Sequence, residues 1–271
     1  MVLYVELISL GIFLVLIALF CEYIDSALGG GYGTILVPLL LIFGFENGII
    51  VPAVLFTEIW SGFSSAILHH FVGNANFEAR VDFKNGNLNE IFFFSIDTKI
   101  SLILAGCGVI GGAVAALVAL NISSLIVKTY IGILVIIMGI LVLFKLRWNF
   151  SWYRIWGIGL LAAFNKGLSG GGYGPLVSSG QVIVNRNPKE AVASTSLSEA
   201  VVCISALIIY FLAGGSILDV QITLCLLIGA LVSVPFAVLT VKHLPIEKLS
   251  SIMGFTTIGL GFLTLLKTWF L

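Results

Sequence analysis

Ten apolar blocks follow one another along the chain, and most of them are long enough to cross a lipid bilayer as an α-helix, which needs about 20 apolar residues. The blocks are 5–24, 34–44, 49–72, 98–120, 125–145, 154–168, 175–184, 190–213, 220–241 and 249–268. Hydrophobic residues make up 59% of the 271 residues and charged residues only 10%. Because a water-soluble surface needs about 25% charged residues, a soluble fold is excluded. The sequence therefore predicts an all-α polytopic membrane protein.

Composition excludes several further classes. The blocks are unbroken runs of helix length instead of short alternating segments, which argues against an outer-membrane barrel. The formal net charge is zero, so no polybasic surface for nucleic acid is expected. Four cysteines lie inside apolar blocks without C-x-x-C spacing, and we interpret them as packing residues that form neither disulfides nor a metal site. They are Cys21, Cys107, Cys203 and Cys225. No metal or other cofactor is expected.

The pentapeptide Gly-Gly-Gly-Tyr-Gly occurs twice, at Gly29–Gly33 and at Gly170–Gly174, each time before a short apolar block. The chain either continues through each break or folds back at it. Folding back places ten of the thirteen basic residues on one face, namely Arg80, Lys84, Lys99, Lys145, Arg147, Arg154, Arg186, Lys189, Lys242 and Lys248. The positive-inside rule therefore favours folding back, with this face in the cytoplasm and both termini outside the cell membrane.

An internal repeat relates the two pentapeptides. A shift of 141 residues superimposes them and also places Glu58 on Glu199, while a shift of 122 residues places Gly139 on Gly261. The difference between the two shifts is an insertion that coincides with the polar loop 74–97. Each half is expected to cross the membrane an odd number of times. The second half therefore enters from the opposite face, and the repeat is an inverted one.

Each repeat is predicted to contain a glycine-broken helical hairpin followed by three spanning helices. The first repeat, 1–145, has its hairpin at 5–44 and its spans at 49–72, 98–120 and 125–145. The second repeat, 146–271, has its hairpin at 154–184 and its spans at 190–213, 220–241 and 249–268. Inverted repeats with matching broken helices are typical of secondary transporters, whose substrate site lies near the midplane between the repeats.

The breaks themselves indicate what such a site would bind. Non-helical backbone in hydrocarbon costs several kcal/mol per unsatisfied group, so it persists only beside protein or a water-filled cavity. Consecutive glycines leave backbone N–H groups open to a ligand, and short helices starting at Thr34 and Pro175 would aim their positive ends at one region. Two helix N-termini favour a small anion. The alternative is that the glycines only allow tight helix packing.

Ionisable residues near the breaks are further candidates, because a charge at membrane depth is costly. Asp25 and Lys166 occupy equivalent positions in the two repeats. They could form a midplane ion pair, or Lys166 could attract the anion while Asp25 takes up a coupling proton. The equivalent Glu58 and Glu199 could carry protons, or each could accept the backbone N–H groups of a broken hairpin.

Aromatic and imidazole side chains complete the set of candidates. The repeat places Tyr32 and Tyr173 at the breaks, where a phenol could donate a hydrogen bond to a bound oxyanion. His69 and His70 end a predicted span, and two adjacent imidazoles point to different faces of a helix. We interpret both histidines as residues of the cytoplasmic interface.

The two break segments, Glu22-Tyr-Ile-Asp-Ser-Ala-Leu-Gly-Gly-Gly-Tyr-Gly-Thr-Ile-Leu-Val-Pro and Asn165-Lys-Gly-Leu-Ser-Gly-Gly-Gly-Tyr-Gly-Pro, carry a resemblance. They are similar to the paired motifs of the TauE/SafE family of sulfite and organosulfonate exporters. The resemblance implies secondary transport of small sulfur-containing oxyanions across the cell membrane, and no enzymatic activity. An anion channel, a transporter of another small anion and, less favoured, a membrane enzyme are the alternatives.

The sequence thus predicts a substrate site between the two breaks. The predicted substrate-binding residues are Gly29, Gly30, Gly31, Tyr32, Gly33, Thr34, Asn165, Lys166, Gly170, Gly171, Gly172, Tyr173 and Gly174. The residues predicted to serve coupling or gating are Asp25, Glu58 and Glu199. Protons are the candidate coupling ion, the lipid bilayer is the expected surrounding, and a homodimer is an arrangement that the sequence leaves open.

Overall fold

The computed structural model describes residues 2–81, 92–119, 124–169, 172–212 and 218–270. Within these ranges the chain forms ten α-helices and one short β-hairpin. The helices are α1 (Val2–Leu28), α2 (Tyr32–Ile42), α3 (Asn47–Phe71), α4 (Ile96–Ala119), α5 (Ser124–Leu143), α6 (Trp152–Ser169), α7 (Tyr173–Ile183), α8 (Pro188–Leu212), α9 (Val220–His243) and α10 (Ile246–Phe270). Each helix matches one predicted block to within a few residues. The predicted site residues Gly170 and Gly171 lie outside the described ranges.

The outer surface of the helices suits lipid. Among the described residues, five helical segments are long and apolar enough to cross a membrane: Ser9–Leu28, Gly48–Phe71, Pro188–Leu212, Val220–His243 and Ile246–Trp269. Large apolar side chains such as Leu16, Ile126 and Phe236 are exposed on outer faces. An apolar exterior of this extent is unfavourable in water, whereas the acyl chains of a bilayer accommodate it. The fold is that of a polytopic helical membrane protein.

A short β-hairpin interrupts the otherwise helical architecture. Strand β1 (Ala79–Val81) pairs antiparallel with β2 (Phe92–Phe94) in the loop between α3 and α4. The sequence analysis predicts only a polar loop here. Three consecutive phenylalanines in β2 have a high β propensity, and the hairpin lies within the insertion that distinguishes the first half from the second.

Each predicted glycine break separates a long helix from one of 11 residues, α1 from α2 and α6 from α7. The residues that precede the short helices, Gly31 and Gly172, have φ angles of 145° and 76°. Glycine adopts such angles without steric cost. The short helices begin two residues earlier than the predicted starts at Thr34 and Pro175, because the non-helical conformation ends at these glycines. Pro175 still lies in the first turn, where its missing N–H costs no helical hydrogen bond.

The chain folds back at both breaks. At the end of α2, the ring of Phe43 lies 4.8 Å from the ring of Phe13 in the N-terminal half of α1. At the end of α7, the carbonyl oxygen of Ile183 accepts a hydrogen bond of 2.7 Å from the N–H of Trp148, which precedes α6. Each short helix therefore returns to the end of the molecule from which its long partner starts.

The helices pack in four extensive pairs: α1 with α9, α4 with α6, α3 with α8, and α5 with α10. Glycine allows the last pair to approach closely. A Cβ atom at Gly139 would lie 2.7 Å from the carbonyl oxygen of Gly254, and one at Gly261 would lie 2.8 Å from that of Gly132. Small residues at the contact are the usual basis of helix association in a bilayer, where no hydrophobic effect drives it.

Basic residues lie together at one end of the molecule, where Lys145 Nζ of the first half lies 3.9 Å from Glu247 Oε2 of the second. The guanidinium of Arg147 donates to the carbonyl oxygen of Val182 over 2.8 Å. At the same end, Lys189 Nζ donates to the carbonyl oxygen of Lys242 over 2.6 Å. The predicted member Lys84 lies outside the described ranges. This end of the molecule, which also carries the α3–α4 loop, is called the basic end below.

One prediction about this end is wrong. His69 was expected at the interface, but it is fully buried. Its Nε2 lies 3.2 Å from the carbonyl oxygen of Ser26, and its Nδ1 lies 2.9 Å from the side-chain amide of Asn74. The last turn of α3 packs against α1, so this imidazole joins two helices instead of facing headgroups. The neighbouring His70 accepts a hydrogen bond from the N–H of Phe77.

Candidate functional site

The two glycine breaks touch each other inside the molecule. A Cβ atom at Gly174 would lie 2.6 Å from the Cα of Gly30 and 3.0 Å from the carbonyl oxygen of Gly29. No side chain fits into a contact of this kind, so glycine is required on both sides. The break of the first half and the break of the second half therefore form one continuous backbone surface.

A small cavity lies where the breaks meet. Its volume is about 10 Å³, roughly the space that one water molecule needs. Residues from both halves line it, namely Asp25, Gly31, Gly33, Thr34, Glu58, Lys166, Gly172, Gly174, Pro175 and Glu199. All of these except Pro175 are predicted site residues. We call this space the central cavity.

Lys166, in the last turn of α6, is the cation of the central cavity, and its side chain is only 8% exposed. Its Nζ lies 2.9 Å from Glu199 Oε1 and 3.9 Å from Glu58 Oε2. An ion pair between Lys166 and Asp25 is one arrangement that the sequence leaves open. The structure describes both residues in the lining of this cavity, but they do not form that pair. The ammonium therefore joins carboxylates from α8 and α3, one from each half.

Carboxylates of the protein occupy the N-terminal end of α2. The N–H of Tyr32 donates to Asp25 Oδ1 over 3.0 Å, and the N–H of Gly33 donates to Glu58 Oε1 over 3.1 Å. An anionic group at a helix N-terminus is stabilised by the free N–H groups and by the helix dipole. In this conformation, Asp25 and Glu58 thus fill positions that an external anion could take.

The glutamates of the two halves are placed in the same way relative to their breaks. A Cβ atom at Gly33 would lie 3.0 Å from Glu58 Oε1, and one at the equivalent Gly174 would lie 2.9 Å from Glu199 Oε2. Each glutamate therefore reaches the first turn of its own short helix. The hypothesis that these residues accept N–H groups of the breaks agrees with the geometry of Glu58, whose hydrogen bond to Gly33 is described above.

Several predicted residues lie beside the central cavity and do not line it. The hydroxyl of Tyr173 donates to the carbonyl oxygen of Leu104 over 3.0 Å, so in this conformation it points toward α4. Tyr32 and Asn165 are both fully buried in the surrounding protein. The N–H groups of Gly29 and Gly30 donate to the carbonyl oxygen of Asp25, which closes the end of α1.

Sequence reasoning missed one polar group of the central network. Cys203, interpreted as a packing residue, donates its thiol hydrogen to Glu58 Oε2 over 3.1 Å, and its Sγ lies 3.3 Å from Lys166 Nζ. Its position four residues after Glu199 places both side chains on one face of α8. That spacing is the signal by which it could have been found.

A second and larger cavity leads from the central cavity toward the end of the molecule opposite the basic end. It has a volume of about 540 Å³ and shares Gly33, Thr34, Glu58 and Gly172 with the central cavity. Two lysines, Lys128 of α5 and Lys267 of α10, also line it. We call this space the vestibule. The sequence analysis did not predict it, because its walls come from five helices that are distant along the chain.

Toward the basic end, polar contacts join the helices that surround the central cavity. Ser65 Oγ of α3 lies 3.3 Å from Ser196 Oγ of α8. Closer to the surface, the guanidinium of Arg186 pairs with Asp97 of α4 and, over 3.0 Å, with Glu190 of α8. Among the described residues, the vestibule thus extends the central cavity away from the basic end, and the contacts of Ser65, Ser196 and Arg186 lie on its other side.

Among the described residues, ten helices, five of them long and apolar enough to cross a membrane, define the class as a polytopic membrane protein. A family model described as sulfite exporter TauE/SafE matches residues 91–264 of the chain. The chain therefore belongs to the TauE/SafE sulfite exporter family, as the two break motifs indicate. It is also 22% identical over 268 residues to a probable membrane transporter protein, YtnM, of Bacillus subtilis strain 168, with 93% of this chain and 82% of that protein aligned. No solved structure matches it significantly.

Proposed function

We propose that this protein is a secondary transporter that exports small sulfur-containing oxyanions, such as sulfite or organosulfonates, with the substrate held at the central cavity. The observation that carries the proposal is that Lys166 lines the central cavity together with glycines of both breaks, one break from each half. A buried ammonium and two helix N-termini provide positive potential at one point. The matching family, described as sulfite exporters, supports the choice of anion.

The packing of the helices supports an inverted repeat. Gly132 contacts Gly261 and Gly139 contacts Gly254, so α5 and α10 are antiparallel. The shift of 122 residues makes these two helices equivalent, because it maps Gly132 onto Gly254 and Gly139 onto Gly261. Exchanging the two helices therefore converts the contact between Gly132 and Gly261 into the contact between Gly254 and Gly139. An axis that relates two antiparallel helices is perpendicular to both, and it therefore lies in the plane of the membrane. Many transporters that work by alternating access have this symmetry.

Charge balance suggests that protons accompany the anion. Three carboxyl groups, from Asp25, Glu58 and Glu199, face the single ammonium of Lys166 in the central cavity. If all three were ionised, an entering oxyanion would meet an excess of negative charge in a medium of low dielectric constant. We propose that the anion displaces Glu199 from Lys166 and Glu58 from the α2 N-terminus, and that the displaced groups take up protons.

A transporter accounts for the closed path better than a channel does. A channel needs a continuous route in its conducting state, whereas here the central cavity has the volume of one water molecule and helix contacts lie between it and the basic end. We propose that this is an outward-facing conformation, with the basic end in the cytoplasm and both termini outside. Export then runs down the concentration gradient of an anion that accumulates inside the cell.

Flux measurements in proteoliposomes test the proposal. Vesicles loaded with sulfite, sulfoacetate, thiosulfate, sulfate or nitrate are expected to release at least one sulfur oxyanion saturably through the wild-type protein and not through Lys166→Gln. The variant Lys248→Gln, changed at an exposed lysine of the basic end, is the matched control. Absence of flux for every anion would contradict the proposal. Single-channel currents in a planar bilayer would instead identify an anion channel.

A further inference from the structure

We propose that Lys128 and Lys267 form a second anion site in the vestibule, one that binds small divalent oxyanions before or after they occupy the central cavity. This inference rests on the proposed function and adds a binding step to it. Neither lysine belongs to the predicted site or to the central network.

The two lysines come from helices that the structure holds together at one end. The indole Nε1 of Trp269, near the end of α10, donates to Thr129 Oγ1, near the start of α5, over 3.1 Å. The residues next to this contact, Lys128 and Lys267, are both half-buried and line the same 540 Å³ cavity. Two ammonium groups therefore share one space.

Neither ammonium has an acidic partner among the described residues. Two lysines elsewhere in the described chain do have such a partner: Lys166 pairs with Glu199, and Lys145 lies 3.9 Å from Glu247. Two like charges in a partly apolar cavity repel each other, and an anion between them removes the repulsion and gains attraction from both. Lys128 and Lys267 therefore lack an anionic partner, and a bound oxyanion can take that place.

The neighbouring hydroxyl groups indicate that the site recognises charge more than shape. Thr264 and Thr268 donate their hydroxyl hydrogens to carbonyl oxygens of their own helix, and Tyr210 donates to the carbonyl oxygen of Gly48. None of these hydroxyls has a hydrogen left to donate to an anion. Thr34 is the remaining side-chain hydroxyl of the lining. Two ammonium charges in one cavity favour a dianion such as sulfite or sulfate over nitrate.

The position of the site gives it a role in transport. The vestibule shares Gly33 and Glu58 with the central cavity, so an anion held by the lysines lies on the path to or from Lys166. Carboxylates dominate the central cavity and repel an anion that approaches. Fixed positive charges in a cleft raise the local concentration of anions, by a factor on the order of 10 to 10³.

Binding measurements with protein in nanodiscs of zwitterionic lipid test the site. Sulfite and nitrate are titrated into wild type, Lys128→Gln, Lys267→Gln and the double variant. The double variant is expected to bind sulfite on the order of 10-fold more weakly than wild type, with a smaller effect on nitrate. Lys145→Gln is the matched control, because Lys145 is equivalent to Lys267 in the repeat and lies at the basic end. Unchanged sulfite affinity in the double variant would overturn the proposal.

A second set of variants separates this site from the central one. Lys166→Gln is expected to retain weaker sulfite binding that disappears when Lys128 and Lys267 are also replaced by Gln. Loss of all sulfite binding in Lys166→Gln alone would show that the vestibule holds no anion by itself. If wild type binds and transports no oxyanion, the proposed function fails. If wild type is normal and the double variant is indistinguishable from it, only the vestibule site fails.

The anion bound by Lys128 and Lys267 could also be the phosphate of a lipid headgroup, because lysines near helix ends often extend to headgroups. Adding phosphatidylglycerol to the nanodiscs distinguishes the two sources. A soluble anion site predicts that sulfite affinity depends on the lysines in zwitterionic lipid as well. Lysine-dependent retention of phosphatidylglycerol, together with lysine-independent sulfite affinity, would assign the pair to lipid and overturn the proposal.

Discussion

Lys166 Nζ lies 2.9 Å from Glu199 Oε1 and 3.9 Å from Glu58 Oε2, so one buried ammonium joins the two halves of the molecule. Removing one partner of a buried ion pair leaves an uncompensated charge and costs about 3–5 kcal/mol. The same ammonium is the cation that the proposed substrate would meet. Its contributions to stability and to binding can therefore be separated by experiment.

Replacing Lys166 by Gln is expected to lower the midpoint of thermal unfolding in detergent and to abolish anion binding at the central cavity. The double variant Lys166→Gln/Glu199→Gln should recover part of the stability, because the carboxylate nearest to the lost ammonium is removed as well while Glu58 remains, and it should still fail to transport. Transport at the wild-type rate by the stable double variant would show that Lys166 serves only to hold the helices together.

Glu58 and Glu199 are expected to take up protons when an anion binds. Calorimetric titration with sulfoacetate in buffers of different ionisation enthalpy should reveal proton uptake by the wild-type protein. Both Glu58→Gln and Glu199→Gln should reduce the number of protons taken up, because each removes one displaced carboxylate. Glu247→Gln, at an exposed position of the basic end, is the control. Equal proton uptake in all four proteins would contradict this coupling.

The contact between the two breaks is expected to tolerate no side chain. A Cβ atom at Gly30 would meet the backbone of Gly174 and the ring of Pro175, so Gly30→Ala should abolish transport and lower the thermal midpoint. Gly157→Ala is the matched control. Apart from its own helix turn, no described atom lies within 4 Å of a Cβ atom at that position, and replacing Gly by Ala within a helix gains about 0.5–1 kcal/mol. Normal flux in Gly30→Ala would argue against a functional contact.

The ion pairs of Arg186 are expected to keep the basic end closed in the outward-facing conformation. Arg186→Gln removes the links to Asp97 and Glu190 and should increase the population of molecules open toward the basic end. A cysteine introduced at Ser196, which is 4% exposed, would report the change through maleimide labelling detected by mass spectrometry. Faster labelling in the Arg186→Gln background than in the native one is expected, and equal labelling would exclude a gating role.

The proposed orientation makes a prediction for intact cells. A cysteine at Glu46, an exposed residue between α2 and α3, should react with a membrane-impermeant maleimide added outside. A cysteine at the exposed Lys248, between α9 and α10, should be protected until the membrane is permeabilised. The reverse pattern would place the basic end outside, against the positive-inside rule.

Much of the architecture could be predicted from the sequence because the bilayer imposes strict local rules. The lengths of the apolar blocks set the ten helices, and the two pentapeptides set the positions of the breaks to within two residues. All residues that line the central cavity, except Pro175, were candidates from the sequence, because the repeat places the breaks, Glu58 and Glu199 at equivalent positions. These are properties of short segments and of their repetition, which are visible along the chain.

The wrong or missing predictions concern contacts between segments. His69 was expected at the interface, because nothing near it in the sequence reveals that α3 packs against α1 at Ser26. Cys203 was expected to be a packing residue, because its contact with Lys166 joins positions 37 residues apart. The β-hairpin was missed because it lies in the insertion 74–97. This insertion has no counterpart in the second half, so the repeat gives no information about it.

The sequence by itself determined that this chain is a helical membrane protein of a transporter family, with two broken helices and a sidedness of charge. Hydropathy, glycine runs and basic residues act through local physics, in which each backbone group must be hydrogen-bonded within its own segment. Only the tertiary structure decided that Lys166 pairs with Glu199 and not with Asp25, and that Lys128 and Lys267 share a vestibule. Electrostatic partnership depends on distances of a few ångströms between helices, and those distances arise only when the helices pack.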